Sequence, residues 1–150
     1  MKIVYNNRKQ LSPEVEKKYQ AEYVELDKLL KISDVISIHV PLTEETYHLM
    51  NSERLNLMKM NAILVNTARG PILDEYVLID ALKNNKICSA ALDVYEFEPN
   101  VSKELLGLDN VILSPHNGTA TIEARNEMSR FASQNIIRFF NGNKNITRVN

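Results

Sequence analysis

Glycine is scarce: Gly70, Gly107, Gly118 and Gly142 are the only four in 150 residues. No two lie close enough to make G-x-G-x-x-G or a Walker loop, so these residues encode neither kind of phosphate cradle. Cysteine is scarcer still. A single Cys88 excludes an intrachain disulfide and a cysteine-rich metal site, and no metal site is expected. Its place in the apolar stretch Ile87 to Val94 reads as a small buried core residue rather than a reactive thiol. Neither sign of charge dominates: 18 Lys and Arg oppose 19 Asp and Glu for a formal net charge of -1, where a dedicated nucleic-acid binder would be more basic. No apolar run approaches the roughly 20 residues needed to cross a bilayer, and Met1 leads into Lys2-Ile3-Val4-Tyr5 rather than into a signal peptide. The expectation is a cytosolic chain that binds neither nucleic acid nor membrane. What is present suits a folded domain, with 44% hydrophobic and 25% charged residues. A chain of this length can bury roughly 70% of the surface exposed when unfolded.

Runs rich in Val, Ile, Leu and Ala recur at Lys2 to Tyr5, Val35 to Val40, Ala62 to Asn66, Cys88 to Val94 and Val111 to Leu113. They are mostly continuous rather than alternating, which is what a parallel sheet covered on both faces requires. Helical signals fill the intervals. Ser12 is placed as N-cap and Pro13 as the first helical residue of a helix reaching Tyr19. A brief strand at Tyr23-Val24 precedes a helix over Leu26 to Ile32. Further helices are expected over Ser52 to Met58, over Asp74 to Lys83 with Asp74 as cap, and over Ile122 to Phe140, stopped by Gly142. In the last of these Ile122, Met128, Phe131, Ile136, Phe139 and Phe140 make a broad apolar face. Alternation of strand and helix predicts a doubly wound α/β domain spanning 1–150, with only Asn141 to Asn150 as a loose tail.

Pro41, Pro71, Pro99 and Pro115 each come within a few residues after a predicted strand, and so do His39, Arg69, Glu98 and His116. Ligands of an open parallel sheet bind outside the carboxyl ends of its strands, so these side chains should converge on one rim. Turns after strands are polar in any case. Together, however, an Arg, a Glu and a His on successive strand ends form a set that chemistry can use. Arg offers a fixed fork for a carboxylate, His titrates near neutral pH, and a carboxylate beside the His favours its protonated form.

The motifs Ser33-Asp34 with His39-Val40-Pro41-Leu42-Thr43 and Thr46, Asn66-Thr67-Ala68-Arg69-Gly70, Ala91-Leu92-Asp93-Val94-Tyr95-Glu96-Phe97-Glu98-Pro99 and Ser114-Pro115-His116 resemble the D-isomer-specific 2-hydroxyacid dehydrogenases in order and spacing. The resemblance covers essentially the whole chain and implies a truncated Rossmann-like sheet. Met1 corresponds to the second strand of the family's nucleotide-binding domain, so the first strand, the glycine-rich turn and the substrate domain are expected to be absent. By the same resemblance, Arg69 would hold the carboxylate and carbonyl of a small 2-keto acid. His116 would be the general acid, and Glu98 would orient His116 and raise its pKa. Asp93 is implied to contact the nicotinamide carboxamide. Val40, Pro41, Thr46, Thr67 and Gly118 are implied cofactor-cleft positions. His39 shapes the cleft, and His48, which has no matching role, reads as a surface residue.

After the first strand come Asn6-Asn7-Arg8-Lys9, where an NAD-preferring member would place an acidic residue on the adenosine 2'-hydroxyl. An amide at Asn7 and a guanidinium at Arg8 would suit a 2'-phosphate, so the complete enzyme reads as preferring NADP over NAD, like the family's glyoxylate or hydroxypyruvate reductases. A solvated basic turn is the plainer alternative. Asn117 after His116 departs from the apolar residue more usual there and bears on substrate preference. Two function classes follow. One is an oxidoreductase module for a 2-keto or 2-hydroxy acid, inactive as an isolated chain. The other is a non-catalytic dehydrogenase-like domain serving oligomerisation or regulation. A sheet lacking its central strand would expose backbone edges, which predicts a homodimer.

Overall fold

The computed structural model describes residues 1–147. In chain order it forms β1 (Ile3–Tyr5), α1 (Pro13–Tyr19), β2 (Ala21–Tyr23), α2 (Leu26–Ile32), β3 (Val35–Ile38), α3 (Ser52–Leu55) and β4 (Ile63–Asn66). A single 3-10 turn at Gly70–Ile72 leads to α4 (Glu75–Lys83), β5 (Ser89–Leu92), α5 (Lys103–Leu106), β6 (Val111–Leu113) and α6 (Ile122–Phe140). Every strand pairing is parallel. β1 pairs with β2, and β3-β4-β5-β6 form a second, separate sheet. The edges of the larger sheet are therefore β6 and β3, the latter the neighbour of the strand at Ala62. The chain divides into two compact units, one covering Met1–His116 and one starting at Asn117.

Local chemistry explains most boundaries. Asp74 caps α4 by accepting the Val77 N–H at 3.1 Å, and Leu78, Ile79, Ala81 and Leu82 of that helix enter the core. Ser12 stands at the N-cap of α1 but its side chain makes no cap bond. The hydroxyl engages the Glu14 carboxylate instead and helps hold it below its ordinary pKa, while the Ser12 carbonyl accepts the N–H groups of Val15 and Glu16. The helix expected to reach Met58 stops at Leu55. Beyond it Leu57 and Met58 donate to Arg54 and Leu55, three residues back, so the last turn tightens out of α geometry.

The core joins Ile36, Ile38, Leu64, Ala90 and Leu92 of the sheet to Leu30, Leu55, Leu78, Leu82 and Leu105 of the helices. Coverage of both sheet faces does not follow. Val35, Ile63 and Ile112, which alternate with the buried positions, remain exposed, because the pleat sends successive side chains to opposite faces and the core helices pack on one. The reading of Cys88 as a buried core residue is corrected: Ile87 is fully buried, whereas Cys88, in the bend before β5 begins, is exposed.

In the second unit, Thr121 caps α6 through the Ala124 N–H. Gly142 ends it at φ 70, with Gly142 and Asn143 donating to Phe139 and Arg138 as in a Schellman turn. The apolar side chains of α6 are exposed. Residues 148–150 of the expected tail lie outside the described residues.

Candidate active site

The strand ends deliver their polar residues to loops built by specific hydrogen bonds. Asn66 ends β4 fully buried. Its amide donates to the Arg69 carbonyl at 3.0 Å, and its side-chain oxygen accepts the Ala68 N–H at 3.1 Å. The Thr67-Ala68-Arg69 turn is thereby closed around one side chain, which satisfies a buried polar group and sets the backbone from which Arg69 projects. Gly70 follows because nothing larger fits: a Cβ there would lie 1.9 Å from the Tyr95 carbonyl oxygen. The loops after β4 and β5 touch backbone to backbone at this point.

An open hollow of about 620 Å³ lies at the ends of β3 and β4, lined by His39, Val40, Pro41, Leu42, Thr67, Ala68 and Arg69. It unites Val40, Pro41, Thr67 and Arg69 of the expected set. His39 also lines it, with its Nε2 2.8 Å from the Ser37 hydroxyl. Arg69 is exposed, and its Nη1 donates to the Ala68 carbonyl at 2.6 Å. Thr46 lies outside the lining. Its hydroxyl donates to the Pro41 carbonyl at 2.7 Å and accepts the Thr43 N–H at 2.7 Å, so it folds the loop that presents Pro41.

The acid–base pair forms across the ends of β5 and β6. Nδ1 of His116 lies 3.0 Å from Oε2 of Glu98, with His116 at φ 49 and both side chains partly open to solvent. The other Glu98 oxygen accepts the Tyr95 N–H at 3.0 Å. Partial burial pushes the Glu98 carboxyl up, but the Tyr95 N–H, the His116 hydrogen bond and the positive charges of His116 and Arg69 outweigh it and hold the group below its ordinary range. Asp93 accepts the Ser114 hydroxyl, and its N–H donates to the Asn66 carbonyl at 3.0 Å. Tyr95 is buried and donates to the Ser114 carbonyl at 2.7 Å, tying the β5 and β6 loops together.

The sequence model of the D-isomer specific 2-hydroxyacid dehydrogenase NAD binding domain matches residues 1–118. The chain belongs to this family. It is 51% identical over all 150 residues to a glyoxylate reductase of Thermococcus onnurineus, of which it spans 45%. The apo D-mandelate dehydrogenase of Rhodotorula graminis superposes with a TM-score of 0.88 at 44% identity, covering 93% of this chain and 41% of that one. An NADPH-dependent glyoxylate/hydroxypyruvate reductase of Sinorhizobium meliloti, solved with NADP and malonate, gives a TM-score of 0.85 at 33% identity over 92% of this chain and 42% of its own. The chain thus spans less than half the length of these relatives, and its fold is that of their Rossmann-like nucleotide-binding domains.

Asn7, Arg8 and Asp93, like Thr46, are not among the residues that line the hollow. Asn7 and Arg8 are exposed beyond β1, where the Asn7 side chain accepts the Arg8 N–H at 2.9 Å. Gly118 belongs to the second unit. His48 is not simply a surface residue. It is half-buried, with Nε2 2.7 Å from Glu96 and Nδ1 3.7 Å from Asp74. Sequence reasoning passed over Asn66, Glu75, Glu96 and Ser102. Of these, only Asn66 carried a local signal, as a polar residue closing an apolar strand.

Proposed function

We propose that this chain supplies the nicotinamide-binding surface and the acid–base pair of a D-2-hydroxyacid dehydrogenase reducing a small 2-keto acid of the glyoxylate or hydroxypyruvate class. The observation that carries this reading is the His116–Glu98 pair at 3.0 Å, with Arg69 close enough to act on the Glu98 charge. A domain kept only for oligomerisation or regulation has no need of that constellation. The hollow fits one end of a dinucleotide: Val40, Pro41 and Leu42 offer an apolar wall, and Thr67 and Arg69 offer donors. Asp93, beside Ser114, is an acceptor suited to a carboxamide. When bound, a reduced nicotinamide supplies the hydride.

The protein groups then divide the remaining work. The Arg69 fork grips the carboxylate of the keto acid and fixes its orientation. Glu98, held ionised, accepts a hydrogen bond from the Nδ1–H of His116 and sets the ring, leaving Nε2 as the nitrogen that gives its proton to the carbonyl oxygen. His116 is returned to its protonated form from solvent, which its exposure permits.

Joining this chain to the part of the Thermococcus onnurineus reductase that it does not cover provides the test. The chimera is expected to reduce glyoxylate or hydroxypyruvate and to prefer NADPH. A 2'-phosphate accepts charge-assisted bonds worth about 1.5–3 kcal/mol each when well formed, which sets the preference over NADH at roughly tenfold to a hundredfold. Arg8 also acts on Glu45, whose carboxyl is held low by the Thr43 hydroxyl, by its own backbone N–H and, weakly, by Arg8. The phosphate must win Arg8 from that neighbour. Changing Asn7 to Asp together with Arg8 to Ala should reverse the ratio of specificity constants. A folded chimera without turnover refutes the catalytic reading, and an initial preference for NADH refutes the role of Arg8.

The exposed β3 edge and sheet face, with Val35 and Ile63 on it, support association into a homodimer. Light scattering that reports a monomer throughout the micromolar range would refute this. No helix among the described residues is long and apolar enough to cross a membrane. A lone free cysteine suits a reducing compartment, and we place the enzyme in the cytoplasm.

A further inference from the structure

Glu75 is the one charged residue buried in the core region among the described residues, 3% exposed at the start of α4. Burying a carboxylate is costly unless its oxygens are hydrogen-bonded, and here both are. Oε1 accepts the Ser102 hydroxyl and Oε2 accepts the Glu96 N–H at 3.0 Å. Glu96 returns the arrangement, accepting the Glu75 N–H on its own Oε2 at 3.0 Å. Each glutamate thus holds the backbone of the other, 21 positions away in sequence. The remaining Glu96 oxygen accepts from Nε2 of His48 at 2.7 Å.

His48 is fixed in its turn. Its N–H donates to the Pro71 carbonyl at 2.8 Å, its backbone sits at φ 48, and its ring stacks on Tyr47 with centroids 4.1 Å apart. Three loops therefore meet at Glu96: the one before Met50, the one following Arg69, and the one carrying Glu98. The close approach of Gly70 to the Tyr95 carbonyl lies in the same junction. None of these groups takes part in the chemistry assigned above, yet Glu96 stands two residues before Glu98, in the turn whose Tyr95 N–H holds the Glu98 carboxylate.

We propose that Glu75, Glu96 and His48 are positioning residues, a clamp that sets the Glu98 carboxylate and through it the ring of His116. The catalytic part of this inference rests on the function proposed above, whereas the geometric part does not. In the clamp, Glu96 acts as a double acceptor, one oxygen for the Glu75 N–H and one for His48. A glutamine at this position can accept only one of those bonds and turns an N–H toward the other donor. The Tyr95–Pro99 turn should then loosen, and Glu98 should lose the short contacts that hold its carboxyl low.

The test reads Glu98 in the 150-residue chain, with side-chain carboxyl carbons followed by NMR during a pH titration. In Glu96→Gln the Glu98 midpoint is expected to rise toward the ordinary carboxylate value while circular dichroism stays unchanged. His48→Gln, which leaves the buried Glu75 bonds intact, is expected to move it in the same direction by less, and serves if Glu96→Gln does not fold. In the chimera, Glu96→Gln is expected to lower kcat about tenfold to a hundredfold with KM for the keto acid unchanged. An unmoved Glu98 midpoint in a folded variant overturns the clamp. So does a kcat equal to that of the parent. Turnover that survives loss of the His116 imidazole would instead overturn the catalytic reading, and it would leave the Glu98 titration where it is.

Discussion

In the chimera, His116→Gln is expected to lower kcat by about 10²- to 10⁴-fold, the usual contribution of the positioned general acid that we propose it to be. That range corresponds to about 3–5 kcal/mol of lost transition-state stabilisation. Glutamine can still offer an N–H to the substrate carbonyl, so binding should change little and KM should stay near its parent value. It cannot give up that proton, which is why the loss falls on kcat. The pH dependence follows from Glu98. Its carboxyl is held below the ordinary range by the Tyr95 N–H, by His116 and by Arg69, against the opposing effect of burial. A depressed folded value means that the Glu98 carboxylate is ionised at neutral pH and stays so as pH falls through the ordinary carboxylate range. It is lost only when pH falls through the lowered value. Glu98→Gln should therefore remove the acid limb of the rate profile that belongs to Glu98, along with part of kcat. Stopped-flow and steady-state rates between pH 4 and 9 measure both effects. A His116→Gln enzyme within threefold of the parent would refute the assignment.

Arg69→Ala should lower kcat/KM for the keto acid by roughly 10²- to 10⁴-fold. Two charge-assisted bonds of about 1.5–3 kcal/mol each are lost, and 1.4 kcal/mol is tenfold. Here the loss should fall on both kcat and KM, since the fork is proposed both to bind the carboxylate and to orient the carbonyl toward His116. Lysine keeps the charge without the planar fork, so Arg69→Lys should recover only part of the rate. Asn66 provides the control. Its buried amide closes the turn beneath Arg69, and Asn66→Ala should weaken keto-acid binding and also reduce stability. Arg69→Ala should leave stability nearly unchanged, because the Arg69 side chain is exposed. Comparing thermal midpoints with kcat/KM for the two variants separates orientation from folding.

Most strands and helices were legible because each rests on local signals, whereas α5 (Lys103–Leu106), only four residues long, was not among those expected. Val111–Leu113 and Leu26–Ile32 fall where the apolar pattern put them, and Asp74 caps α4 because an aspartate before an apolar periodic run has few better conformations. The order and spacing of the strand-end motifs likewise carried the family and named Arg69, Glu98 and His116, since each motif is contiguous in sequence. Exposure was not legible. Cys88 and Ile87 are neighbours in one apolar run, and only the path of the bend before β5 decides that Ile87 is buried and Cys88 exposed. Nor was the reach of His48 to Glu96, 48 residues away, or the exchange of hydrogen bonds between Glu75 and Glu96. A glutamate in the first turn of a helix looks like any exposed acid stabilised by the helix dipole. It becomes a buried hinge between two loops only because parallel crossovers bring the ends of β4 and β5 side by side, and the free energy of that placement comes from contacts distant in sequence.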